Sequence, residues 1–147
     1  LFHNEETVYS RPRMLPPAKI NGTYMLNSIA GDGCIVHAER IEDCVIGIRT
    51  RIGYGTKIFS CYLMGSDFYE TIEEISFAEA NGIPKLGIGD NCYIHNAIID
   101  KNCRIGNNVK INGGPHLANS DHELYTVKDG IVVVKKGSIL PDNFVIG

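Results

Sequence analysis

Large aliphatic residues recur every five or six positions along much of this chain. In the clearest stretch they stand at Ile88, Ile94, Ile99, Ile105 and Ile111. This spacing matches neither the helical period near 3.6 residues nor the two-residue period of a simple strand. A six-residue repeat is typical of a parallel β-helix, in which each hexapeptide forms a short strand and a turn, and stacked coils bury a shared core. The pattern therefore predicts an all-β fold of hexapeptide repeats.

An earlier block, from Met25 to Leu63, carries the same rhythm. Its predicted inward residues are Ala30, Val36, Ile41, Ile46, Ile52 and Ile58. A second slot of the repeat holds a small or β-branched residue, at Cys34, Thr50, Thr56, Cys92, Cys103 and Val109. Glycine follows the inward residue in several repeats, which suits a corner that needs either a positive φ or a close backbone approach.

The repeat is interrupted first between residues 64 and 85. Thr71 followed by Glu74 forms a capping-box pattern, and Gly82 with Pro84 ends the segment, so a short helix is predicted on an excursion from the coil. The acidic residues of this excursion, which are Glu70, Glu73, Glu74 and Glu79, are interpreted as a solvent-facing surface.

A second interruption covers residues 112–125. It is rich in Gly, Asn, His and Asp and has no aliphatic rhythm, which predicts a surface loop. The run Ile131–Val134 then predicts a strand that returns to the coil.

Residues 1–19 are predicted to connect the β-helix domain, residues 20–147, to a preceding domain. Prolines at positions 12, 16 and 17 exclude a regular helix there. Arg11 and Arg13 on this stiffened segment are either solvated or part of an anion site, since guanidinium groups bind carboxylates and phosphates bidentately. Composition alone favours a solvated linker.

Bulk composition describes an ordinary globular domain. The chain has 147 residues, 44% of them hydrophobic, and a net charge of −3, which gives no reason to expect nucleic acid or an anionic membrane as a partner. The longest aliphatic run is far too short to span a bilayer. Five cysteines without Cys-x-x-Cys spacing are predicted to be reduced and structural, in a cytosol-like compartment.

Motifs for catalysis are absent from the sequence. It contains no Gly-x-Ser-x-Gly elbow and no glycine-rich phosphate loop. His95, His116 and His122 match no metal-site spacing, so they are interpreted as exposed histidines rather than zinc ligands. His95 or His37 acting as a general base would suit a free-standing hexapeptide acyltransferase, which is the alternative function. A purely structural β-helix without a ligand is a third possibility.

Lysines at the turns are candidate anion ligands. Lys101 follows Asp100 at a turn, and Lys135 and Lys136 follow the valine run. Residues at the same corner of successive coils line up vertically, so distant lysines can converge on one anion. Spacing alone favours ordinary solvated lysines.

Several segments resemble a known family. They are Pro12–Lys19, Val45–Arg49, Leu63–Thr71, Gly87–Gly89, Ala97–Asn102 and Asp129–Val134. In this order, and with both excursions between them, they are similar to the C-terminal domain of ADP-glucose pyrophosphorylase (glucose-1-phosphate adenylyltransferase). The Met-Gly-x-Asp-x-Tyr-Glu-Thr and Ile-Ile-Asp-Lys-Asn segments are specific to that family rather than to hexapeptide proteins in general.

The resemblance implies a left-handed β-helix attached behind a nucleotidyltransferase domain. The whole enzyme makes ADP-glucose and pyrophosphate from ATP and glucose 1-phosphate with Mg²⁺, for glycogen or starch synthesis. It implies that the catalytic domain is a partner missing from this chain, which therefore has no catalytic or metal-binding residues of its own and is inactive alone. The resemblance further implies a homo- or hetero-tetramer, in the cytoplasm of bacteria or the plastids of plants, without nucleic-acid or membrane partners.

The resemblance also implies an anionic effector site at the domain junction. Lys101 matches the lysine of the Ile-Ile-Asp-Lys-Asn segment, and Lys136 matches the lysine after the Gly-Ile-Val run, with Lys135 as a competing candidate. Arg13 matches an arginine that lies near bound anions in the family. Arg11 is a fourth candidate, at a position where relatives often have an uncharged residue. Because it has both lysines, the chain resembles the family members that are activated by 3-phosphoglycerate more than those that respond to other sugar-phosphate metabolites.

Overall fold

A computed structural model describes residues 15–147 of the chain. Arg11 and Arg13 lie outside the described residues. Within that range the chain winds through three parallel sheets, and each full coil contributes one strand to each sheet. The predicted all-β, parallel β-helix fold is confirmed.

The three sheets form three faces around a single core. The first face contains β1 (Lys19–Ile20), β4 (Ile35–Val36), β7 (Arg51–Ile52), β10 (Gly87–Ile88), β13 (Arg104–Ile105) and β18 (Ile139–Leu140). The second face contains β2 (Tyr24–Leu26), β5 (Arg40–Glu42), β8 (Lys57–Phe59), β11 (Tyr93–His95), β14 (Lys110–Asn112) and β19 (Val145–Ile146). The third face contains β3 (Ile29–Ala30), β6 (Val45–Ile46), β9 (Tyr62–Leu63), β12 (Ala97–Ile99), β17 (Ile131–Val134), β16 (Tyr125–Lys128) and β15 (Ser120–Asp121).

Inward aliphatic residues stack in register along each face. On the second face Ile41 pairs with Ile58, Ile58 with Ile94, and Ile94 with Ile111, and all four side chains are fully buried. One coil cannot cover its own apolar side, so burial arises between neighbouring coils. The inward positions predicted at residues 36, 41, 46, 52 and 58 are confirmed, whereas Ala30 in the first coil is only half-buried.

The small slot is buried as well. Cys34, Cys92 and Cys103 lie in the core and form no disulfide. Burial raises the pKa of these three thiols, which is the behaviour of small packing groups rather than of nucleophiles. Cys44 and Cys61 are also buried and unlinked.

Glycine after the inward residue serves close backbone approach. A Cβ on Gly53 would lie 2.7 Å from the carbonyl carbon of Gly89 in the next coil. The left-handed conformation at the corners is taken instead by residues such as Asn91, Asn102 and Asn108, because Asn tolerates a positive φ. Of the two explanations predicted for this glycine, close approach is therefore the correct one.

The first excursion contains the predicted helix, α1 (Ile72–Ala80). Thr71 accepts a hydrogen bond from the Glu74 N–H at 3.1 Å, and Glu74 accepts one from the Thr71 N–H at 2.8 Å, so the capping box is confirmed. The helix buries only Ala78, and Ile72 is 83% exposed.

Glu70 does not belong to the predicted solvent-facing surface, and that prediction was wrong for this residue. Its side chain is only 6% exposed and lies 2.7 Å from Arg104 Nη1. Its other carboxylate oxygen accepts the Leu86 N–H at 2.8 Å. Glu70 thus fastens the excursion to the first face.

The second excursion is more ordered than the predicted loop. After β14 the chain forms the antiparallel hairpin β15–β16, and β16 pairs with β17, where buried Val127 lies opposite Val132. The loop prediction was wrong for Ser120, Asp121 and Tyr125, which lie in strands, because these short strands carry no aliphatic repeat. The hairpin extends the third face beyond β17.

The first coil is the least buried part of the described β-helix. Its inward residue Ile20 is exposed, although it pairs with fully buried Val36 one coil above. On the third face, the inward residue Ala30 of the same coil is only half-buried. The core is therefore complete only from the second coil onward.

Candidate functional site

The corner between the third and first faces aligns distant parts of the chain in one column. Its backbone N–H to carbonyl hydrogen bonds run from Gly33 to Pro16, Arg49 to Asp32, Ser66 to Ile48, Asn102 to Gly65 and Gly137 to Lys101. Each bond joins one coil to its neighbour, so residues at this corner repeat at about the spacing of paired strands, 4.7–4.9 Å.

Lys101 and Lys136 are neighbours in this column. Ile99 pairs with Val134, which places Lys101 beside Lys136 two residues later. The Gly137 N–H donates to the Lys101 carbonyl at 2.9 Å and fixes this alignment. Two ammonium-bearing side chains therefore leave the backbone at one corner from adjacent coils.

Asp67, from the first excursion, contacts Lys101. Its Oδ1 lies 3.2 Å from Lys101 Nζ. Asn102 clamps the same residue, because its Nδ2 donates to Asp67 Oδ2 at 3.1 Å and its Oδ1 accepts the Asp67 N–H at 2.9 Å. The hydrogen bonds from Asn102 and Lys101, together with the positive charges of Lys101 and Lys136, hold the pKa of Asp67 below its usual range.

Lys135 points to a different environment. Its Nζ lies 3.1 Å from Asp121 Oδ1 and donates to the His122 carbonyl, both on the hairpin of the second excursion. Hydrogen bonds from Thr126 and Lys135 lower the pKa of Asp121 in turn. Lys135 is therefore committed to holding the hairpin, whereas Lys136 contributes to the field at Asp67.

Arg49 adds a third cation to the corner. Its Nη1 donates to the Ser66 carbonyl at 3.1 Å, and its guanidinium lies over the Tyr69 ring at 5.7 Å. The Tyr69 hydroxyl donates to the Gly33 carbonyl at 3.2 Å. These contacts hold the start of the first excursion, including Asp67, against the column.

The predicted histidine candidates do not come together. Nδ1 of His95 lies 3.0 Å from the Gly113 carbonyl, while the ring of His122 stacks on Tyr125 in the hairpin. His37 stacks on Tyr54, and His116 is exposed. Across residues 15–147 no group of three or more His, Cys, Asp or Glu side chains is arranged to hold a metal ion.

Between residues 15 and 147, no helix has the length and apolar character that a membrane crossing requires.

The comparison with known families agrees with the coil architecture. A model of the GLGC left-handed parallel β-helix domain matches residues 13–145. The chain belongs to this family. The GLGC domain is the C-terminal β-helix domain of ADP-glucose pyrophosphorylase, so the chain falls within the nucleotidyltransferase family. The match confirms both the resemblance and the left-handed β-helix expected from the sequence.

Within this GLGC domain, sequence reasoning found the two lysines but missed Asp67 and Asn102. Asp67 lies in the Met-Gly-x-Asp segment and Asn102 in the Ile-Ile-Asp-Lys-Asn segment. A polar residue beside Lys101 and an acidic residue at the start of an excursion were the available signals. Neither indicates a contact across the 35 positions between Asp67 and Asn102.

Proposed function

We propose that this chain is the regulatory and assembly domain of a glucose-1-phosphate adenylyltransferase, and that it binds a phosphorylated acid at the corner containing Lys101 and Lys136. The observation that carries the proposal is the alignment of these two lysines in adjacent coils, with the Asp67 carboxylate 3.2 Å from Lys101 Nζ and within the field of Lys136. A phosphorylated acid bears two or more negative charges, so it matches two ammonium groups better than a single carboxylate does.

Asp67 supplies the anion that Lys101 contacts. Its carboxylate takes the position at Lys101 that a ligand oxygen would occupy, at 3.2 Å from Nζ. An effector must displace it, and Asp67 belongs to the excursion that Glu70 and Arg49 fasten to the coil. Exchange of Asp67 for the effector therefore changes how the excursion is anchored, which is a route to allosteric coupling of typically ~1–3 kcal/mol.

Pro16 accepts a hydrogen bond from Gly33 in the same corner column. Four coil steps separate Pro16 from Lys101 in that column, which is about 19 Å at the spacing of paired strands. Arg11 and Arg13, the other two proposed ligands, come earlier in the sequence and lie outside the described residues.

The third face supports an assembly role. Its outward residues Ile29, Val45 and Tyr62 stack in register and are exposed, and the partly exposed Ile98 and Val133 continue the row. A contiguous apolar row is typical of an interaction surface. We assign it to contacts within the tetramer. In the assembled enzyme the catalytic domain, with Mg²⁺, forms ADP-glucose and pyrophosphate from ATP and glucose 1-phosphate.

Titration of this chain with 3-phosphoglycerate tests the effector site. Calorimetry is expected to give saturable binding that weakens as salt rises, because the contacts are between charged, solvent-accessible groups. Absence of saturable heat at low ionic strength would overturn the proposed effector role, and the family assignment would stand.

Substitution of Asp67 is expected to strengthen effector binding. The Asp67→Asn side chain keeps an oxygen that can accept the hydrogen bond from Asn102. It lacks the negative charge that competes with the effector for Lys101. The affinity for 3-phosphoglycerate should rise about two- to fivefold, the value of a solvent-accessible ion pair. Calorimetric titration of the variant against the unmodified chain measures this change.

Asp121→Asn is the matched control. It removes the equivalent carboxylate beside Lys135 and should leave the affinity unchanged. A weaker affinity in Asp67→Asn would show that Asp67 positions Lys101 for the ligand instead of competing with it.

A further inference from the structure

A groove separate from the lysine corner runs along the edge between the first and second faces. Its volume is about 490 Å³, and it lies between the coil and the loop of residues 79–85 that follows α1. Arg51 and Asp90 line its coil side, with Tyr54 and His37 at one end and Asp142 at the other. This volume falls within the range of small-molecule sites in proteins.

An exposed aromatic platform forms part of the groove. Tyr54 is 62% exposed, and its ring stacks on His37 with centroids 4.3 Å apart and planes 13° from parallel. Because His37 supports one side of the tyrosine ring, the ring is held in place although it faces solvent. The His37 Nδ1 is buried and has no hydrogen-bond partner among the described residues.

A row of polar side chains continues from this platform along the coil axis. Asp90 Oδ1 accepts the Tyr54 N–H at 2.9 Å, Asn107 Oδ1 accepts the Asp90 N–H at 2.8 Å, and Asp142 Oδ1 accepts the Asn107 N–H at 2.8 Å. Each side chain is thus fixed by one atom. Within residues 15–147 the second terminal atom of each makes no hydrogen bond. Three held polar groups therefore repeat at about the coil spacing, 4.7–4.9 Å.

Arg51 supplies hydrogen-bond donors on the same side of the groove. Its Nε donates to the Leu86 carbonyl at 3.1 Å, which fixes the guanidinium at the groove wall and leaves its two terminal nitrogens for a ligand. Burial lowers the pKa of Arg51, and the carboxylates of Asp90 and Glu70 oppose that shift. The guanidinium is therefore a charged donor with the carboxylates of Asp90 and Glu70 nearby.

The charge balance of the lining selects among ligand classes. Glu79, Asp90 and Asp142 are anionic, whereas Arg51 and Lys85 are cationic, so a polyanion such as a phosphorylated acid would be repelled by most of the wall. A hydroxyl group both donates and accepts, which suits alternating carboxylate, carboxamide and guanidinium groups. The flat face of a sugar ring also fits against an exposed aromatic ring.

We propose that this groove binds a neutral oligosaccharide, with one sugar ring on Tyr54 and the hydroxyl groups of the following rings on the row formed by Asp90, Asn107 and Asp142. The proposal is independent of the effector site, since the two lie at different corners of the coil and take ligands of opposite character. It adds a carbohydrate-binding activity to the domain.

Saturation-transfer-difference NMR of the chain with maltotriose and with cellotriose tests this proposal. At least one trisaccharide is expected to receive saturation and, in amide-detected spectra of the labelled chain, to shift the Tyr54 and Asp90 backbone amides. Tyr54→Ala should weaken that binding by at least about tenfold, because the ring supplies the stacking surface, and Tyr54→Phe should retain it.

Tyr24→Ala is the control, since Tyr24 is 51% exposed on the second face and does not line the groove, so its loss should not alter binding. No saturation transfer to either sugar would overturn the proposal. So would binding within twofold of the unmodified chain in a Tyr54→Ala variant that keeps the native circular dichroism, or competition for the groove by inorganic phosphate.

Discussion

Replacing Lys136 with alanine is expected to weaken binding of 3-phosphoglycerate to this domain by about 10- to 100-fold, and replacing Lys101 should have a comparable effect. Each lysine contributes a charge-assisted hydrogen bond, worth about 1.5–3 kcal/mol where it is made to a charged partner. The two side chains serve one ligand, so the double variant should lose less than the sum of the single losses. Calorimetric titration of the three variants measures both quantities.

Lys135→Ala provides a strict comparison because it removes the same charge one residue away. Lys135 Nζ is directed to Asp121 and the His122 carbonyl, so its loss should change the affinity by no more than about twofold. If Lys135→Ala and Lys136→Ala weaken binding equally, the ligand is attracted by general positive charge and the proposed corner site is wrong. In an enzyme containing the catalytic domain, activation by the effector should follow the same order.

Replacing Glu70 with alanine is expected to destabilise the first excursion by about 3 kcal/mol. Glu70 is almost completely buried and serves both Arg104 and the Leu86 N–H, so its removal leaves a partly buried cation and a backbone donor without partners. Arg104 retains its hydrogen bond to the Pro84 carbonyl at 3.1 Å, which limits the loss. Urea denaturation, with amide hydrogen exchange of α1, measures the change in free energy of unfolding.

Two variants complete that experiment. Glu73→Ala removes an exposed carboxylate of α1 and should change the free energy of unfolding by less than about 0.5 kcal/mol. The double variant Glu70→Leu with Arg104→Met removes both charges and should recover part of the stability lost in Glu70→Ala. Equal stability of Glu70→Ala and Glu73→Ala would contradict the role assigned to the ion pair.

The coil was predictable because its stabilisation is periodic. Each inward residue packs against the inward residue one coil away. Positions such as Ile41, Ile58 and Ile94 can therefore be recognised in the sequence by their spacing and size. The capping box of α1 was equally accessible, since Thr71 and Glu74 are three residues apart. Local and repeating interactions leave a mark in the sequence that can be read without knowledge of the fold.

Contacts across the excursions were not predictable in this way. Asp67 and Glu70 lie inside an interruption, where repeat counting no longer tells which residue faces which coil. Their partners Lys101 and Arg104 are 34 positions away. An acidic side chain on an insertion carries the same sequence signal whether it is solvated, as Glu73 is, or buried, as Glu70 is. The resemblance indicated the two lysines, and only the structure showed the carboxylate that contacts Lys101.

Because the first coil is incompletely buried, the local stability of the domain should differ along its axis. In a solenoid, each unit is stabilised mainly by its neighbours, so opening begins where one neighbour's contribution is smallest. Strands β1 to β3 should therefore exchange their amide hydrogens faster than the coils that carry Lys101 and Lys136. The proposed effector corner therefore lies in the slowly exchanging coils, whereas Pro16, at the start of the described chain, lies in the coil that should open first.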